Sequence, residues 1–194
     1  MRRLVVVRHA PTEATRAFAF PADEPLDDRG RSAASALAAS LPSGYDILSS
    51  PARRCLETIE CAGLAAPTVD PALAECDFGS WAGQSLDTLT ATDPDAVRAW
   101  MTDPGAAPHG GESLVEFAER IARWLDDQAQ RDGSAVVITH GGVAKAAVVH
   151  ALGAPLEAFW RIDVAPLAVT ELHAHDGRWT LTRTNTTSPT AAAA

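Results

Sequence analysis

The chain predicts an α/β fold: a three-layer αβα sandwich around a mostly parallel sheet, with an antiparallel edge and a small helical cap. Three observations carry the prediction. Short aliphatic runs at Leu4–Val7, Tyr45–Leu48 and Ala135–Ile138 are continuous rather than alternating, as in strands covered on both faces. Helical patterns lie between and after these runs. Near the end, "LAVTELHAH" and "RWTLTR" flank Asp176-Gly177, the signal of an antiparallel hairpin.

The first run, "LVVV", stops abruptly at Arg8-His9. "DDRGRSAASALAASL" then reads as one helix with Leu37 and Leu41 on one face, stopped by Gly44. After the second run, "SSPARRCLETIECAGL" opens with a serine cap and a proline in the first turn. Residues 76–108 hold Trp81, Trp100 and three prolines with weak periodicity, and read as short helices and loops capping one end of the sheet. "GESLVEFAERIARWLDDQAQ" is the clearest helix. Leu114, Phe117, Ile121 and Leu125 recur at helical spacing, and Ser113 with Glu116 makes a capping box. "GGVAKAAVVHALG" starts a helix directly after the third run and ends it at Gly153. The reading is thus one domain over residues 1–184, with the cap as an insertion at 76–108. A polar, alanine-ended tail over 185–194 reads as disordered from its composition.

The 194 residues are 46% hydrophobic and 21% charged, enough apolar material for a sizeable core. A net charge of −9 argues against nucleic acid or an anionic membrane as partner, since both require a basic face. No run approaches a membrane span, and the apolar stretch behind Arg2-Arg3 is too short for a signal-peptide core. Cys55, Cys61 and Cys76 show neither a CxxC nor a zinc spacing and read as reduced thiols of a cytoplasmic protein.

In a parallel sheet, ligands bind beyond the carboxyl ends of the strands. All three tips carry unusual residues: Arg8-His9, then Ser49-Ser50 with Arg54 in the first turn of the next helix, then Thr139-His140-Gly141-Gly142. If the strands are neighbours, two imidazoles, two guanidiniums and a helix N-terminus face one crevice. That set attracts an oxyanion, most naturally a phosphate, and repels a metal cation. No metal and no cofactor is therefore expected. A P-loop, a cysteine followed at the right distance by arginine, and a DxD after a strand are each missing from the sequence. The remaining nucleophile is a neutral histidine, and His9 is the candidate. The plainer alternative, Arg8-His9 as a strand-end salt-bridge pair, is weakened once Arg54 and His140 join the group.

"VVRHAPTEAT", "LSSPARRCLET", "LAECDFGSWAG", "GGESL" and "VVITHGG" resemble, in order and spacing, the motifs of the histidine phosphatase superfamily, in the branch that includes cofactor-dependent phosphoglycerate mutases. The motifs span Leu4 to about Leu152. The resemblance implies that His9 attacks phosphorus and becomes phosphohistidine. It implies that Arg8, Arg54 and His140 hold the phosphoryl oxygens with help from the Gly141 N–H. It implies that Glu75 protonates the leaving oxygen and later activates water. Asp77 and Glu13 compete with Glu75 for that acid role. The chain departs from the family pattern at Ala10, where glycine is usual, and at Thr15, where many members place an asparagine on the phosphate. Thr15 is carried over as a substrate contact.

His109, before "GGES", is either a substrate contact from the cap or a plain loop residue. His173 and His175 read as members of an exposed edge strand. Hydrolysis of a small phosphorylated metabolite is the favoured activity, because the segment from Glu75 to Glu112 is short for a mutase. A phosphoglycerate-type mutase and a non-catalytic phosphate-binding protein are the alternatives. Sugar phosphates, phosphoglycerate-like acids and ribazole phosphate all fit as substrates, and the oligomeric state is unreadable.

Overall fold

The structure, a computed structural model, describes residues 1–187. The tail reading falls partly outside the described residues, at 188–194. Its first residues do not follow that reading, since the last strand continues through Thr186. The pairing of Val169 with Thr186 draws them into the sheet.

Strand β1 (Arg2–Arg8) is followed by a one-turn helix α1 (Glu13–Arg16) and by α2 (Asp28–Ala34). Then come β2 (Asp46–Ser49), α3 (Arg53–Cys61) and a two-residue strand β3 (Thr68–Val69). The middle segment holds α4 (Leu86–Thr92) and α5 (Pro94–Thr102). Helix α6 (Leu114–Ala129), β4 (Gly133–Thr139) and α7 (Gly141–Leu152) precede the hairpin of β5 (Val169–His175) and β6 (Arg178–Thr186). The six strands lie in the order β3-β2-β4-β1-β5-β6. The first four in that row are parallel, and β5 and β6 are antiparallel.

The continuous aliphatic runs now have a reason. Leu4, Val6, Ala135 and Val137 point to one face and pack against Phe117, Ile121 and Leu125 of α6 and Val143, Ala144 and Ala147 of α7. Val5, Val7, Val136 and Ile138 point to the other and pack against Cys55 and Ile59 of α3 and Leu37. With period 2 and two covered faces, every position in a central strand is apolar. Each fully buried Leu, Ile or Phe on these faces contributes about 1.5–3 kcal/mol.

Three readings need correction, and one strand went unread. The helix expected over residues 27–41 breaks after Ala34 and resumes as a 3₁₀ turn over Leu37–Ser40. At the break, the Ser35 hydroxyl donates to the Ser32 carbonyl, a local bond that competes with the helical ladder. Helix α3 starts two residues late, with Ala52 as an uncapped N-cap. Ser50 is diverted instead: its Oγ accepts the Ala52 N–H and pairs with His140. Strand β3 had no readable pattern. His173 and His175 sit on β5, which is interior between β1 and β6, and the His173 ring meets Glu171 at 3.1 Å. The edge on that side is β6.

The middle segment, expected to be the cap, holds short helices. It has its own aromatic cluster, in which Trp81, Leu89 and Val97 enclose Phe20 with Phe78 and Trp100 around them. Phe20 comes from the loop after α1, so the cap is stapled to the segment that follows His9. The capping box of Ser113 and Glu116 and the left-handed Gly153 that ends α7 are both present. No helix among the described residues is long and apolar enough to cross a membrane.

Candidate active site

Register brings the strand tips together. Arg8 pairs with Thr139 across β1 and β4, so the next residues, His9 and His140, leave the sheet side by side. The His9 N–H donates to the Thr139 carbonyl, and the Ser50 N–H donates to the Ile138 carbonyl. The two imidazoles lie 5.3 Å apart between ring centres, edge to face, and both are buried.

Arg54 stands between them. Its Nε donates to Nε2 of His9 at 3.2 Å, and its Nη2 donates to Nδ1 of His140 at 3.1 Å. A guanidinium can only donate, so both ring nitrogens are unprotonated. The opposite nitrogens carry the protons. Nδ1 of His9 donates to the Ala10 carbonyl at 2.7 Å, and Nε2 of His140 donates to Ser50 Oγ at 2.8 Å. Burial, then the Arg54 charge, pulls the His9 pKa down to about 3, with Arg8 adding to the effect and the Ala10 bond opposing it. His140 is shifted well below its ordinary value by burial, then by Arg54 and His9. His9 therefore presents a neutral Nε2 lone pair with its tautomer held from behind.

Arg8 reaches the same place from β1. Its Nη1 donates to the Val164 carbonyl at 2.7 Å, while its Nε is buried without a partner among the described residues. A methyl added at Gly141 would sit 3.3 Å from that Nε, so the side chain lies against the N-terminus of α7. A buried guanidinium, Arg54, and a partly buried one, Arg8, beside a helix N-terminus form a cradle for an oxyanion. Glu24 brings a carboxylate to 3.9 Å from Arg54 Nη1, tied to Thr12 and the Ala22 N–H.

Glu75 shares a surface cleft of about 340 Å³ with Arg54, Asp23 and Pro51. Its carboxylate accepts the Gly142 N–H at 3.1 Å and the Cys76 N–H at 3.1 Å. The fit over Gly142 is tight: a Cβ there would stand 2.2 Å from Glu75 Oε1. Gly142→Ala is therefore expected to push the carboxylate out of place. Steady-state kinetics on an alkyl phosphate should show kcat lowered by on the order of 10²-fold. The fold should survive, since alanine is about 1 kcal/mol better than glycine inside a helix, and a cooperative thermal melt checks that.

Of the competing acids, Asp77 lines the same cleft as Glu75. Asp77 Oδ1 accepts the Gly79 N–H, and Glu13 is exposed in the first turn of α1. Thr15 closes a capping box with Thr12 through both its backbone and its hydroxyl, and no bond joins it to the histidines. Ala10 is wholly buried, with its methyl among Leu26 and Ala34 and its N–H on Thr58 Oγ1. His109 is buried under the cap, its Nδ1 accepting the Gly111 N–H and its ring against Trp81 and Phe78.

Three supporting residues escaped the sequence. Ser50 holds His140 from behind. Arg120 of α6 grips both oxygens of Glu112 at 2.8 and 2.7 Å and donates to the carbonyls of Ala72, Ala74 and Glu75 at 2.8, 3.0 and 3.2 Å. Those bonds fasten the segment that carries Glu75, and Glu112 belongs to the quoted "GGESL", which was the available signal. Among the described residues, no group of three His, Cys, Asp or Glu is placed to hold a metal.

Because both imidazoles are neutral when buried, acid should destabilise the fold. Below about pH 6.5 the unfolded chain binds protons that the native state refuses, so stability falls as pH drops toward the native pKa near 3. His9→Gln should make the slope of unfolding free energy shallower by about 1.4 kcal/mol per pH unit between pH 6 and 4. Urea titrations across that range, compared with the parent chain, measure it.

A family model of the histidine phosphatase superfamily (branch 1) matches residues 4–187. A glucosyl-3-phosphoglycerate phosphatase of Mycolicibacterium vanbaalenii is 34% identical over 173 residues, covering 81% of this chain and 77% of the relative. The solved structure of mycobacterial glucosyl-3-phosphoglycerate phosphatase Rv2419c in complex with VO3 superposes with a TM-score of 0.83 at 29% identity, covering 96% of this chain and all of that one. The alpha-ribazole phosphatase of Shigella flexneri, at 24% identity and a TM-score of 0.84, shares the fold over 97% of this chain and 98% of its own.

Proposed function

The chain belongs to the histidine phosphatase superfamily and is a phosphatase of that family, and we propose that it hydrolyses a small phosphomonoester through phosphohistidine on His9, with Glu75 as general acid and base. One observation carries the reading: a single buried guanidinium, Arg54, bonds Nε2 of His9 and Nδ1 of His140 at once. A phosphoryl group entering there takes the Arg54 N–H donors. That frees the Nε2 lone pair, which then faces phosphorus.

Each step follows from charge and position. Arg8, Arg54 and the Gly141 N–H hold the equatorial oxygens, where charge collects during transfer. Neutral His140 can only accept at Nδ1. The oxyanion beside it offsets the two arginines and favours protonation there, which turns it into a donor. Nε2 of His9 bonds to phosphorus as the ester P–O bond breaks, and Glu75 gives its proton to the leaving oxygen. Glu75 then takes a proton from water as the water oxygen attacks phosphorus and the P–N bond breaks, releasing phosphate and neutral His9.

The relatives named as glucosyl-3-phosphoglycerate phosphatases act, by that name, on a small phosphorylated metabolite, which supports a metabolite monoester as substrate. The free thiols at Cys55, Cys61 and Cys76 support a cytoplasmic setting. Rapid acid-free quenching during turnover, followed by detection of an acid-labile phosphoprotein and of released phosphate, tests the route. Isomer formation from a phosphoglycerate without free phosphate would favour the mutase instead.

A further inference from the structure

Glu75, Cys76 and Phe78, which line the cleft of Arg54, also line a second cavity of about 180 Å³. Its walls are the rings of Phe78, Trp100, Phe117, Phe159 and Trp160, and Glu75 and Lys145 are the charged residues among the described residues that line it. Trp100 and Trp160 meet edge to face at 4.7 Å, and Phe159 meets Trp160 at 5.2 Å, so the rings brace one another. The cavity is small beside the roughly 300–1,000 Å³ that encloses a drug-sized ligand, so it suits a compact group.

Lys145 is the unusual member. It lies four residues after Gly141, on the face of α7 that begins at the oxyanion cradle. It is the one charged residue in an otherwise apolar stretch from Val143 to Val149. The ammonium lies 5.3 Å from the centre of the Phe159 ring. No carboxylate among the described residues is within ion-pair distance of it, although Glu75 and Asp163 are near enough to oppose the lowering of its pKa by burial. A half-buried ammonium on an aromatic wall, unpaired and opening into a cavity, is a binding site for an anion.

The position says which anion. Glu75 protonates the leaving oxygen, so the alcohol part of the substrate must extend past Glu75. We propose that Lys145 is a specificity residue that binds a carboxylate carried by the alcohol part of the substrate, so that the preferred substrates are small phosphorylated hydroxy acids. The aromatic walls then cover the carbon skeleton, and Glu75, which lines both the cleft and the cavity, sits where the phosphoryl group and the rest of the substrate meet. This assignment rests on the phosphatase reading above.

The test compares 3-phosphoglycerate with glycerol 3-phosphate, which differ only by a carboxylate in place of a hydroxymethyl group, and uses p-nitrophenyl phosphate as reference. The parent chain should favour 3-phosphoglycerate by about tenfold or more in kcat/KM, mostly through KM. In Lys145→Met the ratio should collapse toward one, because KM for the carboxylated substrate rises. Lys145→Arg should keep most of the preference, and Lys145→Gln serves if the methionine variant does not melt cooperatively. A parent chain without the preference, or a methionine or glutamine variant that keeps it, overturns the Lys145 assignment while p-nitrophenyl phosphate is still hydrolysed. Failure to release phosphate from p-nitrophenyl phosphate overturns the phosphatase reading, and this assignment with it.

Discussion

His9→Ala is expected to lose phosphate release by on the order of 10⁴–10⁶-fold, the range for removal of a covalent nucleophile. The size of the loss follows from geometry. His9 is the imidazole whose Nδ1 proton is tied to its own chain at Ala10, so its Nε2 lone pair is fixed in direction. His140 is tied to Ser50 through the other nitrogen and lies on the far side of Arg54. It cannot replace His9 without turning away from both partners. The variant should still fold, because the strand-tip bond from residue 9 to Thr139 is made by the backbone. The same variant should yield no acid-labile phosphoprotein. Phosphate release unchanged from the parent chain would remove His9 from the reaction.

Glu75→Gln should split substrates by leaving group. An alkyl phosphate needs a proton on its departing oxygen, and loss of a positioned acid costs typically 10²–10⁴-fold in kcat. p-Nitrophenolate leaves without that help, so phosphorylation of His9 by p-nitrophenyl phosphate should be slowed far less. Hydrolysis of the phosphohistidine still needs a base, so the variant should show a burst of p-nitrophenol followed by a slow steady rate. Pre-steady-state absorbance measures both phases. Equal slowing of the alkyl and aryl esters in the first step would move the acid role to another group. Glutamine's single carbonyl oxygen can keep only one of the two backbone N–H bonds, which Glu75 accepts on different oxygens, but Arg120 still holds the carbonyls of Ala74 and Glu75, so the loop from Ala74 to Cys76 should hold its place.

Much of this was legible because local pattern reports burial. A run such as Leu4–Val7 is apolar at every position only if both faces are covered, and helices α6 and α7 cover one of them. Ser113 and Glu116 cap α6 because each satisfies a donor within four residues, a bond that the sequence alone can specify. Aliphatic runs that end in Arg8-His9, Ser49-Ser50 and Thr139-His140 marked three strand tips as places of chemistry. The same logic failed where the partner is distant. Ser50 looked like the cap of α3, since nothing nearby reveals that His140, ninety residues on, takes its hydroxyl. Arg120 carried no local signal, because the carbonyls of Ala74 and Glu75 that it holds lie about 45 residues away. Strand β3 is two residues long and exists because β2 offers it an edge.

By itself, then, the sequence determined the elements and the inventory: which segments are strands and helices, and that two imidazoles, two guanidiniums and one carboxylate sit at strand tips and loops. Those follow from periodicity and capping, which act over a few residues. Only the tertiary structure decided which nitrogen of each imidazole carries the proton, which acid lies over α7, and that Lys145 opens into a second cavity. These depend on β1–β4 register and on side chains 45 to 90 residues apart, where a hydrogen bond exists only once the sheet has brought its partners within reach.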